Sequence, residues 1–224
     1  MMSNFVHTKH GMSQKGAGDG IGKYRLFISM ASLLALLLSM AGAAAAEPTP
    51  TSSVKSTIDE VLAVLSDKAM KAPEKQTERR AKLEEIIGGR FDYEEMAKRT
   101  LPTQWKTLKT EQQKEFVSLF QQFLANSYAG NVDGYSGEQV EYGKERLKGD
   151  FAEVQTKVVS PKGQIPLDYR LLKKNGEWRV YDVVIDGVSL MKNYRGQFAR
   201  IIDSDSFETL LEKLRTKTDL GPSC

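Results

Sequence analysis

The apolar positions of this chain change their spacing once, near residue 137, from a helical period to a strand period. Between residues 52 and 128 they recur every three or four positions, as on amphipathic helices. After the turn-rich segment 130–137 they alternate with polar residues, as on half-buried strands, and a helical period returns from Val188. Helices, then a run of strands, then helices predict an α+β fold with the helices gathered on one face of a curved sheet.

The first helical part divides into segments with recognisable ends. One helix is predicted over 52–70, and a second over 73–87 with the Gly88-Gly89 pair as its stop. Capping-box patterns that begin at Asp92 and Thr110 open the next two helices. The fourth helix is the most apolar, so we expect it to contribute most to the core.

The alternating part predicts four strands in succession, starting near residues 140, 152, 165 and 178. Short turns join them, and the Asn-Gly pair at Asn175 is a strong signal for a hairpin. The strands therefore form a four-stranded antiparallel meander. Helices over 188–202, with Ser189 as a cap, and over 206–217 complete a set of about six to seven helices packed with the sheet.

The first 46 residues predict an export signal. A short basic stretch, 23–25, precedes an apolar run of about 15 residues, shorter than the roughly 20 that a membrane span needs. Ala44 and Ala46 fit the small-residue rule for cleavage after Ala46. We therefore predict a cleavable Sec signal peptide over 1–46 and a periplasmic protein. A linker over 47–52, a domain over 53–220 and a tail over 221–224 follow.

Composition restricts the chemistry of the exported part. The two histidines, His7 and His10, precede the predicted cleavage site, and the single cysteine is Cys224. The mature chain thus lacks the usual general base, the commonest zinc ligand and a disulfide. The formal net charge of +3 belongs to the signal, and the remainder is balanced, which argues against a nucleic acid partner. We predict no catalytic residue, no metal site and no cofactor other than a bound lipid, argued below.

Asp182 is the one carboxylate that falls in phase with apolar strand residues, namely Trp178, Val180 and Val184. A carboxylate on an apolar face serves either as a general base with a raised pKa or as a structural group hydrogen-bonded to backbone amides or an arginine. No motif places a nucleophile beside it. Both interpretations stay open, and the second is favoured.

Two stretches resemble the MlaC family of periplasmic phospholipid-binding proteins. They are FDYEEMAKRTLPTQW at 91–105 and EWRVYDVVIDGVSLMKNYRGQFARII at 177–202, with the aromatic helix 116–128 between them. The second stretch is the specific one, and the similarity covers 53–220. The chain departs from many relatives at Leu101-Pro102, where they have a glycine, and we expect only loop variation there.

The resemblance implies a fold, a ligand and partners. The fold would be a curved, NTF2-like sheet with helices, and the ligand would be a phospholipid whose acyl chains lie between them. The protein would be a monomer that shuttles glycerophospholipids between an outer-membrane lipoprotein complex and an inner-membrane ABC lipid transporter, which maintains outer-membrane lipid asymmetry. A hopanoid-linked branch of the family leaves the lipid class open.

Combining the resemblance with the apolar pattern gives candidate lipid-binding residues on the long helix, the sheet and the helix after it. Asp182, Asn193 and Arg195 are expected instead to hold the corner between strand and helix. The lipid-binding candidates are Phe116, Phe120, Phe123, Leu124, Val154, Val158, Leu167, Tyr169, Val180, Val184, Val188, Leu190, Met191, Tyr194 and Phe198.

Two alternatives from other classes remain. An NTF2-like enzyme would pair Asp182 with Tyr169 or Tyr194 as acid and base on a small hydrophobic substrate. An adaptor that only bridges envelope complexes would have a solid interior without a ligand.

Overall fold

A computed structural model describes residues 47–216, and these belong to one compact unit. The predicted signal peptide and the tail over 221–224 lie outside the described residues. The α+β prediction is confirmed, since helices precede and follow an antiparallel sheet. The elements are α1 Pro50–Ser66, α2 Gln76–Arg90, α3 Tyr93–Thr100, α4 Thr110–Asp133, β1 Gln139–Lys148, β2 Phe151–Ser160, β3 Gly163–Lys174, β4 Glu177–Ile185, β5 Val188–Ser189, α5 Leu190–Ser204 and α6 Phe207–Thr216.

The sheet has five strands in the order β1-β2-β3-β4-β5, one more than predicted. The extra strand, β5, follows a tight turn in which Asp186 and Gly187 both have positive φ, 48° and 80°. Val188 pairs with Ile185 in this strand instead of starting a helix. Ser189 caps α5 as predicted, because its side chain accepts a hydrogen bond from the Lys192 amide.

The α1 helix begins and ends earlier than predicted. Its first residue is Pro50, inside the segment predicted as a linker, because Thr49 accepts from the Ser52 amide and proline suits the first helical turn. The helix ends at Ser66 instead of continuing to residue 70. The carboxylate of Asp67 accepts from the Ala69 amide at 2.8 Å and turns the chain there.

The predicted glycine stop of α2 is wrong. The helix passes through Gly88 and Gly89 and ends at Arg90. Its last turn is bound to β4, since the Arg179 guanidinium donates to the Gly89 carbonyl and Arg90 Nη1 donates to the Trp178 carbonyl at 2.9 Å. These tertiary contacts outweigh the local preference of glycine for a helix end.

The start and end of α4 also differ from the prediction. The helix is capped one residue earlier than predicted. The Lys109 amide donates to Gln112 Oε1 at 3.0 Å, in place of a bond between Thr110 and Gln113. The helix continues through Gly130 to Asp133. The carboxylate of Asp133 holds this end, since it accepts from Arg79 and Arg80 of α2 at 2.8 and 2.5 Å.

A bulge in β4 changes which side chains face the helices. Leu171 pairs with Val180, but Arg170 pairs with Asp182, so Tyr181 has no partner opposite. Because Tyr181 is an extra residue in β4, the side chains that follow it point to the opposite faces from those that a regular strand would give. Asp182 therefore does not share a face with Val180, and the predicted single apolar face through 184 is wrong.

The solid part of the core lies between α4 and α5. Phe120 and Phe198 meet edge to face with ring centroids 5.6 Å apart, and Phe123 meets Tyr194 at 5.4 Å. Such geometry is the favoured one for aromatic pairs. A separate apolar cluster, centred on Val64, Leu65 and Leu83, joins α1 to α2. Within residues 47–216, no helix combines the length and the hydropathy needed to cross a bilayer.

Candidate functional site

The helical face of the sheet carries two adjoining cavities. The larger, here the main cavity, has a volume of about 670 Å³ and lies between α1, the end of α2 and strands β1 to β4. The smaller, here the side cavity, has about 260 Å³ and lies between α2, α4 and strands β3 and β4. The main cavity is within the roughly 300–1,000 Å³ of ordinary ligand pockets.

One set of side chains forms a wall common to both cavities. Each of these residues is aliphatic or aromatic, so a largely apolar surface separates the two cavities. The shared residues are Ile87, Phe91, Leu167, Tyr169 and Ile185.

The main cavity is elongated along the sheet. At one end it is lined by Val180, which pairs with Leu171 and through it lies level with Ala152 of β2. At the other end it is lined by Ser160, the last residue of β2. Eight strand steps at about 3.3 Å each separate these levels, so the lining residues are spread over roughly 25 Å along the sheet. A space of this shape accommodates a long, thin apolar ligand.

Helix α1 roofs the main cavity because its N-terminus is fixed over β1. The Glu145 carboxylate accepts from the Thr51 amide at 2.8 Å and from the Thr51 hydroxyl at 2.6 Å. A register shift between Tyr142 and Glu145 turns this carboxylate to the helical side. Gly143 allows the shift, since a Cβ there would lie 3.3 Å from the Gln155 backbone. The apolar stripe of α1, including Val54 and Ile58, then faces the sheet.

The tyrosines of the cavity walls lie in surroundings of low polarity, which disfavour ionisation of their hydroxyls. Tyr169 lines both cavities, so part of its side chain is accessible although its hydroxyl is desolvated by the surrounding protein. Burial raises the pKa of Tyr169 well above its usual range. Burial, followed by the charge of Glu84, raises the pKa of Tyr93 in the side cavity to about 12. Both phenols are therefore neutral at physiological pH.

The structure brings some of the predicted lipid-binding residues together on the cavity walls. They come from α4, three strands of the sheet and the start of α5. These residues are Leu124, Val158, Leu167, Tyr169, Val180 and Leu190.

The other predicted residues line neither cavity. The solid helical core holds Phe116, Phe120, Phe123, Met191, Tyr194 and Phe198. Val154 is buried on the inner face of β2, with Tyr169 opposite it. Val184 lies on the other side of β4 because of the bulge, and Val188 is 47% exposed in β5.

Several wall residues were missed by sequence reasoning. The α1 stripe was recognised as a helix face but not assigned to the site, although its spacing carried that signal. Val183 and Ile185 were missed because only the bulge brings them inward. The missed apolar residues include Val54, Ile58, Val61, Leu62, Ile87, Phe91, Val140, Val183 and Ile185.

The carboxylate of Asp182 holds the corner between β4 and α5. Its carboxylate accepts from Ser189 Oγ at 2.6 Å, from the Met191 amide at 3.1 Å and from Arg170 Nη1 at 3.1 Å. Asp182 lines neither cavity, which favours the structural interpretation over the catalytic one. Of the other predicted corner residues, Arg195 is exposed and Arg170 takes its place.

Asn193 accepts from Gln197 Nε2 at 3.3 Å within α5. This bond is local to α5. Within residues 47–216, no cluster of three or more metal-ligating side chains is present.

The fold and the site define a small α+β domain built around an elongated apolar cavity. The chain belongs to the MlaC family, since the family described as MlaC protein matches residues 55–216.

Relatives with descriptions of their own agree with this assignment. The intermembrane phospholipid transport system binding protein MlaC of Haemophilus influenzae is 26% identical over 123 residues, which cover 52% of this chain and 58% of that protein. The toluene tolerance protein ttg2D of Pseudomonas putida is 26% identical over 170 residues, covering 75% of this chain and 79% of its own length.

A solved structure has the same fold. It is the phospholipid-binding protein from Ralstonia solanacearum in complex with a phospholipid. The TM-score is 0.66 with 26% sequence identity, and the match covers 74% of this chain and 94% of that one.

Proposed function

We propose that this protein binds a phospholipid with its acyl chains in the main and side cavities. The observation that carries the proposal is the pair of adjoining apolar cavities along the sheet, with volumes of about 670 and 260 Å³. The Ralstonia solanacearum relative, which was solved with a phospholipid, supports the ligand class. The cavities also disfavour the adaptor alternative, which requires a solid interior.

Energetics make a carrier the natural role for such a site. Burying about 30 methylenes of two acyl chains, at about 0.8 kcal/mol each, stabilises the lipid by on the order of 20 kcal/mol relative to water. A bilayer offers nearly the same stabilisation. A carrier therefore needs only to match the stabilisation that the membrane gives, which an apolar cavity does. Without a carrier, a lipid leaves a bilayer for water extremely slowly.

The wider role is proposed from the family. The protein would be exported by its N-terminal signal, reside in the periplasm as a monomer and exchange lipid with an inner-membrane ABC lipid transporter and an outer-membrane lipoprotein complex. This traffic would maintain the lipid asymmetry of the outer membrane. The relatives named for intermembrane phospholipid transport and toluene tolerance support this setting.

The test is lipid analysis of matched variants. Leu167 lines both cavities, whereas Leu147 is 60% exposed on β1 and lines neither. We expect Leu167→Glu to lose co-purifying lipid and Leu147→Glu to keep it, as measured by organic extraction and native mass spectrometry. Circular dichroism melts confirm that both variants fold.

Retention of lipid by folded Leu167→Glu would refute the cavity assignment. Absence of lipid from the unmodified protein, even after incubation with vesicles, would refute the function. The extract also identifies the lipid class, because a hopanoid and a glycerophospholipid differ in mass and in phosphorus content.

A further inference from the structure

Arg90 places a cation on the wall of the main cavity. It is the last residue of α2, and its side chain also lines a polar groove of about 670 Å³ between α1 and α2. Thr57 of α1 lines the same two spaces. Arg90 and Thr57 therefore mark the junction between an apolar space and a polar one.

The bonds of Arg90 are all to neutral oxygens. Nε donates to Thr57 Oγ1 at 3.1 Å and Nη1 donates to the Trp178 carbonyl at 2.9 Å. Within residues 47–216, no carboxylate forms an ion pair with this guanidinium at 4.0 Å or less. The neighbouring Arg179, in contrast, pairs with Glu177 at 2.6 Å. The two bonds fix the guanidinium and leave Nη2 without a partner in the described chain.

The guanidinium of Arg90 is partly buried and has no ionic partner in the described chain. Burial and the charge of Arg179 lower the pKa of Arg90, while Glu177 and Glu60 act in the opposite direction. The guanidinium stays protonated, since arginine does not lose its proton in proteins. A partly desolvated charge without an ionic partner is unfavourable, and a ligand oxyanion at the free Nη2 would relieve it.

We propose that Arg90 binds an oxyanion of the lipid, which sets the direction of the ligand in the main cavity. The inference rests on the proposed function. The oxyanion is a phosphodiester of a headgroup or the carboxylate of a fatty acid, and both suit the planar donor array of arginine. The acyl chains run from Arg90 along the sheet toward Ser160, and the rest of the headgroup lies in the polar groove.

The experiment compares ligands with identical chains in one protein. Delipidated protein is titrated with dioleoylphosphatidylglycerol, with dioleoylglycerol, which lacks the phosphate, and with oleate. We expect a preference for the phospholipid over dioleoylglycerol of about 10-fold to 100-fold, the range for a hydrogen bond to a charged group. Arg90→Gln should abolish this preference and Arg90→Lys should keep part of it. If oleate gains from Arg90 while the phospholipid does not, the oxyanion is the carboxylate.

The preference is a ratio within one variant, so a loss of stability in Arg90→Gln acts on both ligands and cancels. Arg179→Gln is the matched control, because it removes a nearby cation that lines neither cavity and should leave the preference unchanged. Lys162→Gln removes the cation at the opposite end of the main cavity, by the β2–β3 turn.

Full preference in Arg90→Gln would overturn the inference, as would its loss in Lys162→Gln alone, which means the reverse orientation. Equal binding of phospholipid and dioleoylglycerol by the unmodified protein would overturn the inference and leave the proposed function standing. Failure to bind any of the three ligands would refute the proposed function itself.

Discussion

Two adjacent valines of β4 test the bulge and the cavity together. Val183 and Val184 are equally buried, each 7% exposed. Val183 lines the side cavity, whereas Val184 pairs with Asp168 on the other side of the strand. Phenylalanine at the two positions should therefore have opposite effects, and the roles of the two valines are the reverse of those that the strand pattern predicted.

The expected magnitudes follow from the space beside each valine. In Val183→Phe the ring enters a cavity of about 260 Å³. Filling such a space raises the free energy of unfolding of the lipid-free protein by about 0.5–2 kcal/mol. The ring also occupies room meant for an acyl chain, so the lipid content should fall. In Val184→Phe neither cavity is available, so overpacking costs about 1–3 kcal/mol while lipid is retained.

The assay is urea unfolding of the delipidated variants, with lipid content measured by native mass spectrometry before delipidation. The expected result is a crossed pattern, with one variant more stable and lipid-poor, the other less stable and lipid-loaded. If both variants lose stability and both keep lipid, Val183 does not face a cavity. The position of the bulge at Tyr181 would then be incorrect.

Three further predictions concern polar groups. Asp182→Ala should lower the free energy of unfolding in urea by about 2–3 kcal/mol, less than for a fully buried ion pair because Arg170 is partly exposed. The lipid content should stay unchanged. Loss of lipid would instead give Asp182 a role in binding. Asp133→Asn removes the ion pairs with Arg79 and Arg80. It should cost no more than about 1 kcal/mol, yet speed transfer of a fluorescent phospholipid to vesicles, and an unchanged rate would show that α2 does not move during transfer. Asp92 has burial acting to raise its pKa, but hydrogen bonds from the Lys174 ammonium and the Glu95 amide lower it below its ordinary 3.8. The stability it contributes is present at neutral pH and lost as pH falls through the lowered pKa, so the acid dependence of thermal melts should weaken in Asp92→Asn.

Local signals predicted the features that local chemistry decides. The Asp92 cap is confirmed by a 3.0 Å bond from the Glu95 amide, and the hairpin at Asn175-Gly176 is confirmed by positive φ at both residues. Each of these depends on atoms within a few positions along the chain. The end of α2 and the bulge at Tyr181 depend instead on strands that are remote in sequence, so no local pattern indicated them.

The site was only partly predictable because periodicity does not distinguish a packed face from a cavity wall. The aromatic face of α4 attracted the prediction, yet rings such as Phe116 and Phe120 fill space well and became solid core against α5. The cavity walls come instead from thinner aliphatic stripes, such as that of α1. Such side chains leave a gap when the elements that carry them are held apart.

The gap itself is what a sequence pattern cannot encode, and its energetics explain why a ligand belongs there. Apolar side chains that face an unfilled space lose packing contacts, and a closed, dry cavity costs about 24 cal/mol per Å³. A typical domain has a total stability of only about 5–15 kcal/mol, so unfilled apolar space of any size is a significant loss. Selection for stability alone would have filled this volume with larger side chains, as the aromatic rings fill the space between α4 and α5. An elongated apolar space kept beside so tightly packed a core is therefore best explained by an apolar ligand that replaces the missing contacts.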